Sequence, residues 1–124
     1  MAEKNISISS LEAVLIASSD PESLAAFYEK GFELAPPKWN GDDHLGFNLS
    51  NTYLGFDRVQ ESVSTSNNSV SIWFRVSDIE ATFARLVHLG AKVKYAPTSE
   101  ESPGEILAML YDPDGNSVGL ISSA

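Results

Sequence analysis

Side chains able to do chemistry are sparse in this chain. It has two histidines and no cysteine, which excludes a thiolate metal site, a disulfide framework and a cysteine nucleophile. Asp42-Asp43-His44 sets two carboxylates beside an imidazole, residue types that bind metal ions. Adjacent residues on a loop or strand rarely converge on one ion, so this cluster is not read as a metal site. His88 falls late in a helical stretch, where a protonated imidazole interacts favourably with the helix dipole, a structural role. A sequence this poor in His and Lys offers no Ser-His-Asp or lysine-centred nucleophile arrangement.

Charge narrows the partners. Seventeen acidic residues against 8 basic ones give a formal net charge of −9. Nucleic acid and an anionic membrane are not expected partners, because neither recruits a counter-charge here. A cationic ligand would be favoured by long-range steering, or the acidic surface simply keeps the protein soluble. No apolar run approaches the roughly 18 residues that span a bilayer. The opening MAEKNISISS lacks an apolar core and is not expected to be a signal peptide, so a cytoplasmic location is expected. At 124 residues, with 43% apolar and 20% charged content, the expectation is a single domain over 1–124.

The elements that must position any site are legible from pattern. Leu11–Ala17 is an apolar run of strand length, and Ser18-Ser19-Asp20-Pro21 opens a helix with an N-cap and an N1 proline. Leu24, Phe27, Tyr28 and Gly31 fall at helical spacing, with the helix stopping at Gly31. Phe32-Glu33-Leu34 reads as a short strand and Lys38–Asp43 as a polar loop. Strands are expected at Leu45–Leu49 and Tyr53–Val59, joined tightly by Ser50-Asn51-Thr52. Glu61–Asn68 is polar and reads as a linker.

The order then repeats. Val70–Val76 is a strand, Asp78 caps a helix carrying Ile79, Phe83, Leu86 and Leu89, and Ala91–Tyr95 is a short strand ended by Ala96-Pro97. Thr98–Gly104 is an acidic loop, either a lid or a plain connection. A hairpin follows, with Ile106–Tyr111 leading into the turn Asp112-Pro113-Asp114-Gly115-Asn116 and then Ser117–Leu120. Asp20 and Asp78 lie 58 apart, Gly31 and Gly90 59 apart, and the two Ala-Pro pairs 61 apart. Each half thus reads βαβββ, module one at about 8–60, a linker at about 61–68, and module two at about 69–122. The fold class is α+β: two tandem modules forming a curved eight-stranded mixed sheet, with a helix on the outer face of each. The uncovered faces would curl into a shared trough.

VLIASSDPESLAAFY, VSIWFRVSDIEATFARLVHLGAKV and YDPDGNSVGL, in that order and with this repeat, resemble the vicinal oxygen chelate superfamily. It includes glyoxalase I, extradiol dioxygenases and the bleomycin and fosfomycin resistance proteins. One departure is visible. The family usually has two more residues between the Phe-Tyr pair and the helix-ending glycine, so the first helix is expected to end half a turn early. The resemblance also implies a divalent metal held by four His, Glu or Gln side chains on cavity-facing strands. Carried onto this sequence, those positions are Ala13, Gly55, Ser71 and Gly119. None offers an imidazole or carboxylate, so no metal, no cofactor and no catalytic residue is expected.

Alternation outward from those positions gives the expected trough lining. It comprises Ala13, Leu15 and Ala17; Tyr53, Gly55 and Asp57; Ser71, Trp73 and Arg75; and Leu107, Met109, Tyr111, Ser117, Gly119 and Ile121. From these, Leu15, Tyr53, Asp57, Ser71, Trp73, Arg75, Leu107, Met109 and Tyr111 are the expected ligand-binding residues. Small residues at the former ligand positions would leave room for a flat or amphipathic molecule. Trp73 and Tyr111 at alternating positions read more readily as plain sheet packing than as a ligand platform, and Asp57 and Arg75 either pair across the sheet or reach solvent at its rim.

Three functions stay open. One is a metal-free binder of a small organic ligand, cationic or aromatic, similar to the bleomycin resistance proteins. Another is a metal-dependent lyase, isomerase or dioxygenase using ligands such as Asp57 and His44. The third is a module whose sheet serves assembly. The resemblance further implies a homodimer.

Overall fold

The computed structural model describes residues 10–61, 70–100 and 102–124. Apart from Glu61, the expected linker at 61–68 lies outside them. So do residues 8–9 and 69 of the expected modules and Glu101 of the expected loop. In chain order the elements are β1 (Ala13–Ser18), α1 (Pro21–Gly31), β2 (Lys38–Trp39), β3 (His44–Leu49), β4 (Thr52–Arg58), β5 (Ser71–Arg75), α2 (Ile79–His88), β6 (Lys92–Thr98), β7 (Glu105–Tyr111) and β8 (Ser117–Ser123).

Both helices start where a capping aspartate satisfies a free backbone donor. Asp20 accepts from the Ser23 amide at 3.2 Å, with Pro21 opening α1. Asp78 accepts from the Ala81 amide at 3.0 Å at the head of α2. The apolar stripe of α1 buries Leu24, Phe27 and Tyr28; that of α2 buries Ile79 and Leu86. Neither helix is long and apolar enough to cross a membrane.

The strands form two four-stranded mixed sheets, ordered β1-β4-β3-β2 and β5-β8-β7-β6. In each, the first strand of the module runs parallel to the last, and the remaining pairs are antiparallel. No ladder joins β1 to β5 among the described residues. The helix-side faces share one core, built from Leu45, Phe47, Leu54 and Phe56 of the first sheet and Ala108, Leu110, Val118 and Leu120 of the second. Each fully buried Leu or Phe there contributes roughly 1.5–3 kcal/mol of transfer free energy.

The two helices end alike, and this corrects the reading of the first. In α2, Gly90 takes φ +102° and the Ala91 amide reaches back to the Leu86 carbonyl at 3.0 Å. In α1 the matching residue is Glu33, at φ 54°, with the Leu34 amide bonded to the Glu29 carbonyl at 2.9 Å. The helix is therefore not cut short. Its closing residue stands two positions past Gly31, and a glutamate holds the conformation that glycine usually takes. Gly31 serves packing instead, since a Cβ there would come within 2.4 Å of Leu86 Cδ2.

Beyond small shifts at strand ends, three features differ from the sequence reading. Phe32-Glu33-Leu34 forms no strand, because the Leu34 amide is spent on closing the helix. The edge strand β2 forms instead inside the expected polar loop, where Lys38 and Trp39 pair with Gly46 and Leu45. β6 continues through Ala96-Pro97 to Thr98, with register shifts around them. An edge strand tolerates proline at such an irregularity.

Candidate functional site

Side chains alternate along a strand, so Tyr53, Gly55 and Asp57 of β4 share the face turned away from α1. Register brings Ala13, Leu15 and Ala17 of β1 to that face, and His44, Gly46 and Asn48 of β3. His44 lies directly opposite Asp57. Its Nδ1 is 2.6 Å from Asp57 Oδ1, and its Nε2 is 2.7 Å from the Tyr53 hydroxyl. A carboxylate only accepts, so Nδ1 carries the hydrogen and Nε2 is left to accept from Tyr53. Burial, and then the Asp57 charge, raise the Tyr53 phenol above its ordinary pKa, so it keeps its proton.

Two glycines make room for this chain of groups. A Cβ on Gly46 would sit 2.2 Å from the Tyr53 hydroxyl oxygen. One on Gly55 would sit 2.7 Å from the Tyr53 ring and 2.8 Å from His44 Cε1. The ring of Tyr53 thus lies flat across the sheet.

The second sheet repeats the device with a different ring. Ser71, Trp73 and Arg75 of β5 share a face with Ser117, Gly119 and Ile121 of β8. Glu105, Leu107, Met109 and Tyr111 of β7 join them by register. A Cβ on Gly119 would fall 2.2 Å from the Trp73 indole, whose Nε1 donates to Ser71 Oγ at 2.9 Å. Arg75 pairs with Glu105 at 3.4 Å.

These contacts correct two expectations. The small residues Gly55 and Gly119 do not leave open room, because the protein's own rings cover them. Asp57 and Arg75 do not pair with each other; their partners are His44 and Glu105, in separate sheets. His44, named beforehand only as a possible metal ligand beside Asp42-Asp43 or Asp57, is the residue that ties Asp57 to Tyr53.

A cavity of about 600 Å³ lies where the modules meet. It brings together four of the nine expected binding residues, Tyr53, Ser71, Trp73 and Arg75, with Leu11, Val14 and Val70 around them. Leu15, Asp57, Leu107, Met109 and Tyr111 do not line it. Met109 is buried, whereas Leu15 is 59% exposed on the open face.

The residues present do not fit the metal that the resemblance implies. Among the described residues, no three His, Cys, Asp or Glu side chains are placed to hold an ion. His44, the one imidazole on the open face, has both ring nitrogens engaged.

Paired βαβββ modules with two four-stranded sheets and an outer helix each define the glyoxalase/bleomycin resistance fold of the vicinal oxygen chelate superfamily. The chain belongs to the Glyoxalase-like domain family, whose model matches residues 13–121. No curated protein matches it. Among solved structures, it is similar to a glyoxalase/bleomycin resistance protein/dioxygenase family enzyme from Burkholderia phytofirmans PsJN. That likeness has a TM-score of 0.80 at 19% identity, over 94% of this chain and 100% of the other. A glyoxalase-related enzyme from Fulvimarina pelagi gives a TM-score of 0.77 at 19% identity, covering 94% and 89% of the two chains. Lactoylglutathione lyase from Agrobacterium tumefaciens gives 0.67 at 19% identity, covering 93% and 94%. Likenesses at this identity establish the fold alone.

Proposed function

We propose that this protein binds a small aromatic or amphipathic molecule without a metal ion, in the cavity between its modules. The observation that carries the reading is the cavity itself. At about 600 Å³ it falls within the range of small-molecule sites, and its lining is mainly apolar with a few polar groups. Trp73, 41% exposed, offers an indole face to a flat ligand, and Leu11 and Val70 remain 66% and 74% exposed beside it. Such exposed apolar side chains at a cavity mouth gain most when a ligand covers them. The net charge of −9 favours a cationic ligand in the approach.

Calorimetric titration with a cationic and a neutral aromatic probe tests this reading. Saturable binding of either is expected, weakened by Trp73→Ala. No heat from either class at millimolar concentration would overturn it. The homodimer that the family resemblance implies belongs to the same proposal, and light scattering of the purified chain measures it.

A further inference from the structure

We propose that the free edge of β5 binds a short extended peptide with apolar side chains, which joins the second sheet as an added strand. This rests on the reading that a small amphipathic molecule occupies the cavity between the modules.

The lining places the cavity on that edge. Every residue from Val70 to Arg75 lines it. Successive side chains of a strand point to opposite faces, so a cavity touched by all six runs along an edge, not over one face. One edge of β5 is taken by its ladder with β8, and no β8 residue lines the cavity. The cavity therefore follows the other edge. A second cavity, of about 640 Å³, shares Phe74 and Arg75 with the first and continues to Asp78.

The backbone of that edge is unpaired. The Val76 amide donates to the Ile121 carbonyl at 2.9 Å, which turns the even-numbered residues of β5 toward β8. The N–H and C=O of one strand residue point to the same side, and those of the next to the other. The amides and carbonyls of Ser71, Trp73 and Arg75 thus point away from β8. No ladder forms on that side, and among the described residues no backbone hydrogen bond satisfies them.

A row of outward N–H and C=O groups is matched by another extended backbone. The outer edges of the two sheets are blunted against such pairing. β2 has two residues, one of them Lys38, and β6 carries Lys92, Lys94 and Pro97. The inner edges, β1 and β5, carry neither lysine nor proline. They do not cover each other, since no ladder joins them and both contribute to the cavity wall.

The same wall selects the side chains. Leu11, Val14 and Leu54 offer apolar contact, and no carboxylate among the described residues lines the cavity. At roughly 3.3 Å per residue, a tripeptide spans about 10 Å. Neighbouring outward positions of β5 lie about 6.6 Å apart, so it reaches two of them.

Residue-resolved amide exchange and calorimetry on the unaltered protein test the proposal. The probe is acetyl-Val-Phe-Thr-amide. An analogue methylated on every amide nitrogen keeps the side chains and loses the donors. In the free protein, the amides of Ser71, Trp73 and Arg75 should exchange at least about tenfold faster than those of Ile72 and Phe74. At saturation the probe should slow that outward set about tenfold and leave Ile72 and Phe74 unchanged. The analogue should bind about tenfold more weakly, the loss of roughly one net hydrogen bond. Equal binding of probe and analogue, or protection without the alternation, would overturn the proposal and leave the cavity reading intact. Binding of a neutral aromatic probe but of neither peptide would do the same. Slow exchange of the outward set in the free protein would overturn it too, and a dimer by light scattering would then put a second copy of the chain on this edge. If neither the peptides nor the aromatic probe bind, the cavity reading fails with it.

Discussion

The Tyr28 hydroxyl donates a 2.6 Å hydrogen bond to Asp112, tying the first module's helix to the second module's turn across 84 residues of sequence. Asp112 also accepts from the Asp114 and Asn116 amides, at 3.0 and 2.9 Å, and so shapes the turn it opens. One carboxylate thus serves local turn chemistry and long-range packing together. Tyr28→Phe keeps the ring in the core and removes this tie. Loss of a buried partner should destabilise the protein by about 1–3 kcal/mol, read as a lower urea midpoint at unchanged slope. An unchanged midpoint would show that the bond contributes nothing net.

Burial raises the Asp112 pKa above the ordinary aspartate value, outweighing the hydrogen bonds from Tyr28 and Asn116 that lower it. The folded state therefore binds more protons than the unfolded state between those two values. This contribution to stability is fully present below the ordinary aspartate pKa and is lost as pH rises through the raised one. Comparing unfolding free energy against pH for the natural chain and Asp112→Asn should isolate that downward slope. A constant difference through the acidic range contradicts it.

Glu33 sits at φ 54°, where a side chain costs about 1 kcal/mol relative to glycine. Its 3.0 Å pair with Arg85 is exposed on the Glu33 side and contributes little. Glu33→Gly should therefore raise the denaturation midpoint, by up to about 1 kcal/mol. Destabilisation would mean that the ion pair outweighs the backbone.

At Gly119 the opposite substitution is informative. Gly119→Ala places a methyl group 2.2 Å from the present position of the Trp73 indole, which must move. A cost of about 1–3 kcal/mol is expected, with a shifted tryptophan emission and weaker binding of an aromatic probe. Unaltered emission would show that the indole does not rest on this glycine.

Metal removal should do nothing. Dialysis against a chelator is expected to leave Tm and probe binding unchanged. A fall in either, reversed by one divalent ion, would restore the metal-dependent alternative.

Much of the scaffold was legible because local chemistry set it. Asp20-Pro21 and Asp78 had to cap helices, and the Asp112–Asn116 turn had to reverse the chain. Of the open-face chain, Tyr53 and Asp57 were legible from alternation, but the place of His44 opposite Asp57 was not, for a reason one residue wide. Reading Ser50-Asn51-Thr52 as the connection sets Leu49 against Tyr53. The structure pairs Leu49 with Thr52, around a turn with Ser50 at φ 45°. That shift is what places His44 opposite Asp57, since one step of register exchanges the faces of a strand. Glu33 was hidden similarly. α1 does stop at Gly31, but the closeness of Leu86 shows that this glycine is there for space, while Glu33 takes the closing conformation.

The indole resting on Gly119 also constrains how this protein can change. A carboxylate at position 119 and a tryptophan at position 73 exclude each other, because the first added carbon already occupies the ring's place. Placing an acid there takes two substitutions in contact with each other, whose effects are not expected to add. Losing Trp73 first uncovers the sheet, and gaining the acid first expels the ring. With the indole in that place, no single substitution gives this chain an acidic side chain at position 119 beside an undisturbed Trp73.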